Sequence, residues 1–254
     1  MNYNIVIPAR LKSTRLPNKM LRELHGKPLI EWTWLAAIKS KAKNVIVATD
    51  DQAIFDHLTS IDAKVVMTDT AHESGTDRLS EVSRMLQFSA GEIIVNWQGD
   101  EPFLPISFVD QVVLALAENS NVSMSTLATP INEWEEVQDP NAVKVVLNEE
   151  AEALYFSRAP IPYQREKMQH TGLIENSPYL RHIGLYAYRA EFLNEYPHLT
   201  PSPLEELEKL EQLRALANNR KIAVAISTHT PPPGIDTLAD LQKAQAWIIN
   251  NGLI

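Results

Sequence analysis

Apolar residues along this chain gather into short dense runs, separated by stretches of helical spacing. Ile5-Val6-Ile7, Asn44-Val45-Ile46-Val47-Ala48, Ala63-Lys64-Val65-Val66-Met67 and Glu92-Ile93-Ile94-Val95-Asn96-Trp97 each read as a buried strand. Pro28 suits the first turn of a helix over 28–35, Thr49-Asp50-Asp51 caps the next, and a further helix covers 75–86. Strands that are apolar on both faces and alternate with helices predict an α/β fold with a doubly wound, mostly parallel sheet. Right-handed crossovers are the rule for such connections.

The pattern changes near residue 120. Strands are predicted over 122–129, 142–147, 151–156 and 180–188, and the stretch 160–177 mixes Pro, Gln, Arg, Lys and His without a period. This places a smaller inserted α+β subregion at 120–190 within one domain, 1–254. A Glu/Leu-rich helix over 203–218, a strand over 221–226, a Pro-rich turn and a last helix from Leu238 complete the chain. In the first of these, Leu204, Leu207, Leu210, Leu213 and Leu216 recur every three residues, so the apolar line winds by about 60° per step. Two different buried contacts would use such a line, the sheet on one side and a second copy of the chain on the other. A homodimer is the expectation, with a helix buried inside one chain as the other reading.

Composition narrows the partners. The chain has 254 residues and a net charge of −9, which argues against nucleic acid and against an anionic membrane surface. It contains no cysteine, so disulfides and thiolate metal sites are excluded. The sequence opens directly into a strand, and no apolar run approaches ~18 residues. A soluble, cytoplasmic protein is expected.

Against that acidic background, positive charge collects at one place. Arg10, Lys12, Arg15 and Lys19, with Ser13 and Thr14, follow the first strand. The carboxyl edge of a parallel sheet is where ligands bind, so the segment fits a polyanion such as a nucleoside triphosphate. A solvated basic turn is the plainer account. Gln98-Gly99-Asp100-Glu101-Pro102 follows the fourth strand, and Gly234-Ile235-Asp236-Thr237 precedes the last helix. Each carboxylate can be a helix cap or a seat for a hard cation. The basic loop and two strand-end carboxylates together provide a phosphate cradle and a magnesium seat. No G-x-G-x-x-G, G-x-x-x-x-G-K-[ST] or G-x-S-x-G is present, which removes dinucleotide, P-loop and serine-hydrolase readings. His182, beside a strand, is by default structural.

These motifs resemble a known family. Pro8-Ala9-Arg10, Ser13-Thr14-Arg15-Leu16-Pro17 to Lys19, Ala48-Thr49-Asp50-Asp51, Ser74-Gly75-Thr76-Asp77-Arg78-Leu79 and Gln98-Gly99-Asp100-Glu101-Pro102 are similar to the cytidylyltransferases, and among them to the 3-deoxy-manno-octulosonate (Kdo) cytidylyltransferases of lipopolysaccharide biosynthesis. The likeness continues through Tyr155-Phe156-Ser157-Arg158, Arg181-His182-Ile183-Gly184-Leu185-Tyr186, Leu210-Glu211-Gln212-Leu213-Arg214 and Gly234-Ile235-Asp236-Thr237. Asn18 and Met20 stand where the family usually carries Gly and Pro.

The resemblance implies that CTP and Kdo give CMP-Kdo and pyrophosphate. It implies nucleotide contacts from Pro8, Ala9, Arg10, Arg15, Lys19, Ser74, Gly75, Arg78, Gln98 and Asp100. Arg10, Lys19, Asp100 and Asp236 are implied to be catalytic, with Mg2+ on Asp100 and Asp236. Arg158, Arg165, His182, Tyr186, Glu211 and Gln212 are implied on the sugar side, which would fall largely to the 120–190 subregion, the expected site of dimerisation as well. A cytidylyltransferase for 8-amino-Kdo or another acidic sugar, and more remotely a non-catalytic nucleotide sensor, are the alternatives.

Overall fold

The structure is a computed structural model; it describes residues 1–11, 15–72, 74–165, 172–174, 177–229 and 234–252. Lys12, Ser13, Thr14, the tri-proline turn and part of the 160–177 stretch lie outside the described residues.

The first half alternates as expected: β1 (Tyr3–Ala9), the short pair β2 (Glu23–Leu24) and β3 (Lys27–Pro28), α1 (Leu29–Ala37), β4 (Asn44–Thr49), α2 (Gln52–Ser60), β5 (Lys64–Met67), α3 (Gly75–Met85), β6 (Ile93–Asn96) and α4 (Ile106–Glu118). The second half runs β7 (Met124–Pro130), α5 (Trp134–Gln138), β8 (Lys144–Leu147), β9 (Ala153–Ser157), β10 (Leu180–Arg189) and α6 (Ala190–Glu195). It closes with α7 (Pro203–Glu208), α8 (Gln212–Ala217), β11 (Ile222–Ile226) and α9 (Leu238–Asn250).

The main sheet has the order β11-β7-β10-β6-β1-β4-β5. Pairings of β1 with β4 and β6, β4 with β5, and β7 with β11 are parallel; β10 runs antiparallel to both β6 and β7. Strand alternation sorts the core into two layers. Ile5, Ile7, Val47 and Val95 face one layer with Ile30 of α1, Leu58 of α2 and Phe108 of α4. Val6, Ile46, Ala48 and Ile94 face the other, with Leu79 of α3, Phe192 of α6 and Leu213 of α8. The sheet is thus wound on both faces.

Residues 120–190 supply β7 and β10 to the interior of this sheet, while β8 and β9 lie off its path, β8 pairing with β10 and β9 with β8. The single helix expected over 203–218 is instead two helices. Lys209 breaks it with left-handed dihedrals, φ 54° and ψ 49°. Leu210 and Leu213 are buried, whereas Leu204 and Leu207 of α7 are exposed. The winding apolar line therefore reflects two helices with different surroundings.

A third apolar cluster bears directly on the site. Leu16, Leu24, Leu29 and Trp32 pack with Ile235 and with Leu241, Ala244 and Ile248 of α9. It joins the basic loop to the segment before α9, so that Arg15 and Asp236, distant in sequence, sit side by side. Thr237 and Asp240 start α9 with a reciprocal capping box, which fixes the backbone immediately after Asp236.

Candidate active site

A cavity of about 570 Å³ opens at the carboxyl end of β1 and β6. All ten residues expected at the nucleotide line it, together with Asp236. The side chain of Lys19 is almost wholly buried and donates to both acidic groups, at 2.5 Å to Asp100 Oδ2 and 2.9 Å to Asp236 Oδ1. Arg15 holds the other oxygen of Asp236 at 3.0 Å. Burial alone would lower the Lys19 ammonium, but Asp100 and Asp236 outweigh it and hold it above the usual lysine value. Lys19 is therefore a permanent cation at neutral pH.

The backbone explains how Lys19 is aimed. Asn18 takes φ 57° and ψ 33° ahead of a single 3-10 turn, Lys19–Leu21. Among residues with a side chain, Asn tolerates this region best, so the departure from Gly keeps the turn. Gly99 also earns its place sterically, since a Cβ there would lie 3.0 Å from the Pro8 carbonyl and 3.1 Å from Met20 sulfur. Close packing of the 98–100 segment on β1 brings Asp100 over the basic loop.

Other expected groups are present but already engaged. Ser74 caps α3, its hydroxyl accepting from Asp77 N at 3.0 Å. Arg78 is buried, paired to Asp50 at 2.9 Å and hydrogen-bonded to Thr68. Both line the cavity as parts of its frame. Asp51, in contrast, is simply the cap of α2. Glu101, next to Asp100, has its carboxyl pushed up to about 8 by burial and by the charge of Asp100. It packs against Gly234, where a Cβ would sit 2.7 Å from Glu101 Oε1.

A second cavity of about 190 Å³ adjoins the first, and Gln98 and Glu211 line both. It contains His182, Tyr186 and Gln212 from the expected sugar-side set. Thr76, Asn96, Tyr188, Tyr196 and Lys209 complete much of the wall and were not singled out from sequence. Tyr186 and Tyr188 alternate along β10, a pattern that could have marked an aromatic wall. Between Ile183 and Tyr186 the pairing of β10 with β7 shifts, and the Thr126 hydroxyl gathers this irregular stretch through the carbonyls of Ile183 and Leu185. His182 Nε2 lies 3.0 Å from the same hydroxyl.

The groups of this second cavity are neutral almost throughout. Desolvation, aided by Arg181, takes His182 down to about 3, and desolvation raises Tyr186, Tyr188 and Tyr196. Glu211 opens to the water of the cleft yet sits deep enough that desolvation raises its carboxyl; its Oε2 accepts from Thr76 Oγ1 at 2.8 Å. The Gln212 amide nitrogen is buried without a hydrogen-bond partner among the described residues. An unsatisfied buried donor on a cavity wall marks where a ligand acceptor fits.

Neither arginine expected on the sugar side lines this cavity. Arg158 Nε donates to the Glu208 carbonyl at 2.7 Å and its Nη1 to the Pro140 carbonyl at 2.9 Å. Arg165 is exposed and lines neither cavity.

The fit of a metal ion can be judged from Lys19. Its ammonium shows that oxygens of Asp100 and Asp236 can meet on one cation, and both are the hard donors that Mg2+ prefers. Among the described residues no group of three or more His, Cys, Asp or Glu forms a complete cage. Two carboxylates with phosphate oxygens and water are the usual arrangement for magnesium at a nucleotide.

Residues 4–222 match the family model described as Cytidylyltransferase. The chain is 48% identical over 248 residues to the 3-deoxy-manno-octulosonate cytidylyltransferase of Pseudoalteromonas atlantica, covering 97% of this chain and 98% of that protein. It is 49% identical over 247 residues to the enzyme of the same name from Francisella tularensis subsp. novicida, covering 96% and 97%. The structure is similar to that of CMP:2-keto-3-deoxy-manno-octonic acid synthetase complexed with CTP, with a TM-score of 0.88, 37% identity and coverage of 98% and 99%.

Proposed function

We propose, for a chain that belongs to the cytidylyltransferase family, that it activates 3-deoxy-manno-octulosonate: CTP and the sugar acid give CMP-Kdo and pyrophosphate. The product serves lipopolysaccharide biosynthesis. The observation that carries this reading is the convergence of Lys19 on Asp100 and Asp236, with Arg15 on Asp236 and Arg10 in the same cavity, beside an aromatic cavity that shares Gln98 and Glu211 with the first.

In this reading the triphosphate lies along Arg10, Arg15 and Lys19. Ser74, Gly75, Arg78 and Gln98 frame the cytidine. The sugar occupies the second cavity with its anomeric hydroxyl turned toward the shared wall. That oxygen attacks the α-phosphorus, the bond to the bridging oxygen of the β-phosphate breaks, and pyrophosphate departs. The step depends on alignment and on compensation of negative charge, which fixed cations in a partly desolvated cleft supply. Asp100 and Asp236 would hold Mg2+; when bound, the ion polarises the phosphate and favours the ionised nucleophile. Lys19 and Arg10 stabilise the leaving group, and the neutral hydrogen-bonding groups around His182 and Tyr186 orient the sugar.

We place the enzyme in the cytoplasm as a homodimer without nucleic acid or membrane partners. Leu204 and Leu207, exposed on α7, support an apolar contact with a second copy. Among the described residues no helix is long and apolar enough to cross a membrane.

The test is pyrophosphate release with CTP against UTP, and with Kdo against its 8-amino form. Turnover is expected with CTP and Kdo. The proposal fails if CTP is bound but no sugar acid releases pyrophosphate, and the substrate assignment changes if the 8-amino sugar is strongly preferred.

A further inference from the structure

The second cavity needs a positive charge if its occupant is an acid, and the structure assigns that role to Lys209. We propose that Lys209 receives the carboxylate of the sugar acid, with the Gln212 amide as its hydrogen-bonding companion. This rests on the reading of the second cavity as the sugar site.

Among the residues lining that cavity, Lys209 is the one with a standing positive charge. His182 is neutral, and Arg158 and Arg165 stand elsewhere. Lys209 is exposed and takes part in no ion pair among the described residues.

The backbone at Lys209 is itself informative. A lysine in the left-handed region is strained, and such a residue persists only where its surroundings over-determine it. The surroundings are visible. Glu208 is clamped by Ser157 Oγ at 2.5 Å and by Arg158 N at 2.9 Å, while the Arg158 guanidinium grips the Glu208 carbonyl. On the other side, Tyr196 Oη donates to the Glu211 carbonyl at 3.1 Å. Lys209 is thus held between two anchored residues, in the break that separates α7 from α8.

Gln212 supplies the independent observation. It is 5% exposed, lines the same cavity, and has a buried amide nitrogen without a partner. One ammonium and one amide donor suit a carboxylate, which accepts at two oxygens. Arg158 becomes a positioning residue for the turn rather than a sugar ligand.

The experiment uses the full chain with Lys209→Met and Lys209→Arg, measuring pyrophosphate release while CTP and the sugar acid are varied separately. Lys209→Met is expected to raise KM for the sugar acid ~30-fold, leave KM for CTP within about twofold, and abolish most of the salt dependence of sugar binding. Lys209→Arg is expected to keep KM for the sugar acid within about fivefold of the parent, since the charge is retained. An unchanged sugar KM in Lys209→Met overturns the assignment, as does an equal rise in both KM values, which would signal a collapsed turn. A parent enzyme inert with every sugar acid would instead defeat the function on which the assignment rests.

Discussion

The two adjoining cavities are built from opposite materials. In the first, charge dominates: Lys19, Arg10 and Arg15 gather with Asp100, just after β6, and Asp236, just before α9. In the second, rings and amides dominate, and burial holds His182 and three tyrosines uncharged. The contrast follows the chemistry that the proposed function asks of each. A triphosphate changes its charge distribution during the reaction, so its site needs fixed ions to stabilise the transition state. Apart from the attacking anomeric oxygen, a sugar keeps its hydroxyls unchanged, so its site needs neutral donors and acceptors that discriminate by leaving mismatched groups unpaired.

Substitutions sharpen or break this division. Asp100→Asn should have the largest effect, lowering kcat ~1,000-fold while the melting temperature and the sugar KM hold; near-parental turnover would remove the carboxylate from the chemistry. Gln212→Leu should raise the sugar KM about tenfold without moving the CTP KM, and an equal change in both would erase the boundary between the cavities. Arg158→Met should lower stability by about 1–3 kcal/mol by removing a charged donor from the half-buried Glu208 carbonyl and the exposed Pro140 carbonyl, measured by denaturant unfolding.

The smallest effect concerns pH. His182 falls from an ordinary 6.5 to about 3 in the folded chain, so protonation favours unfolding. The contribution is whole above the unfolded value and drains away as pH drops from 6.5 toward 3. At about pH 5.5 the parent should have lost about 1 kcal/mol that His182→Gln does not lose. Unfolding curves of both proteins at neutral and mildly acid pH measure the difference.

The charged cavity was largely legible in the sequence because its parts sit where strands end. Dense apolar runs locate the strands, and the polar residues just beyond them fall at one sheet edge. Asp236 and Asp100 can be paired from their places just ahead of helices, but the cluster of Leu16, Ile235 and α9 that brings them together is tertiary and leaves no local signal. The neutral cavity was less legible. Arg158 has the right charge for an acid ligand, but nothing local shows that backbone carbonyls occupy its guanidinium. Lys209 was hidden by the regular leucine spacing, which reads as one helix; the clamp on Glu208 that breaks it comes from β9, some fifty residues earlier. Asn18 shows the reverse case, in which local conformational preference alone accounts for the turn that aims Lys19.

Glu211 belongs to both chambers, tied to the first turn of α3 through Thr76 and to the aromatic side through Tyr196. A party wall cannot be altered for one tenant alone. A substitution at Glu211 is therefore expected to move both KM values, where one at Gln212 moves only that of the sugar.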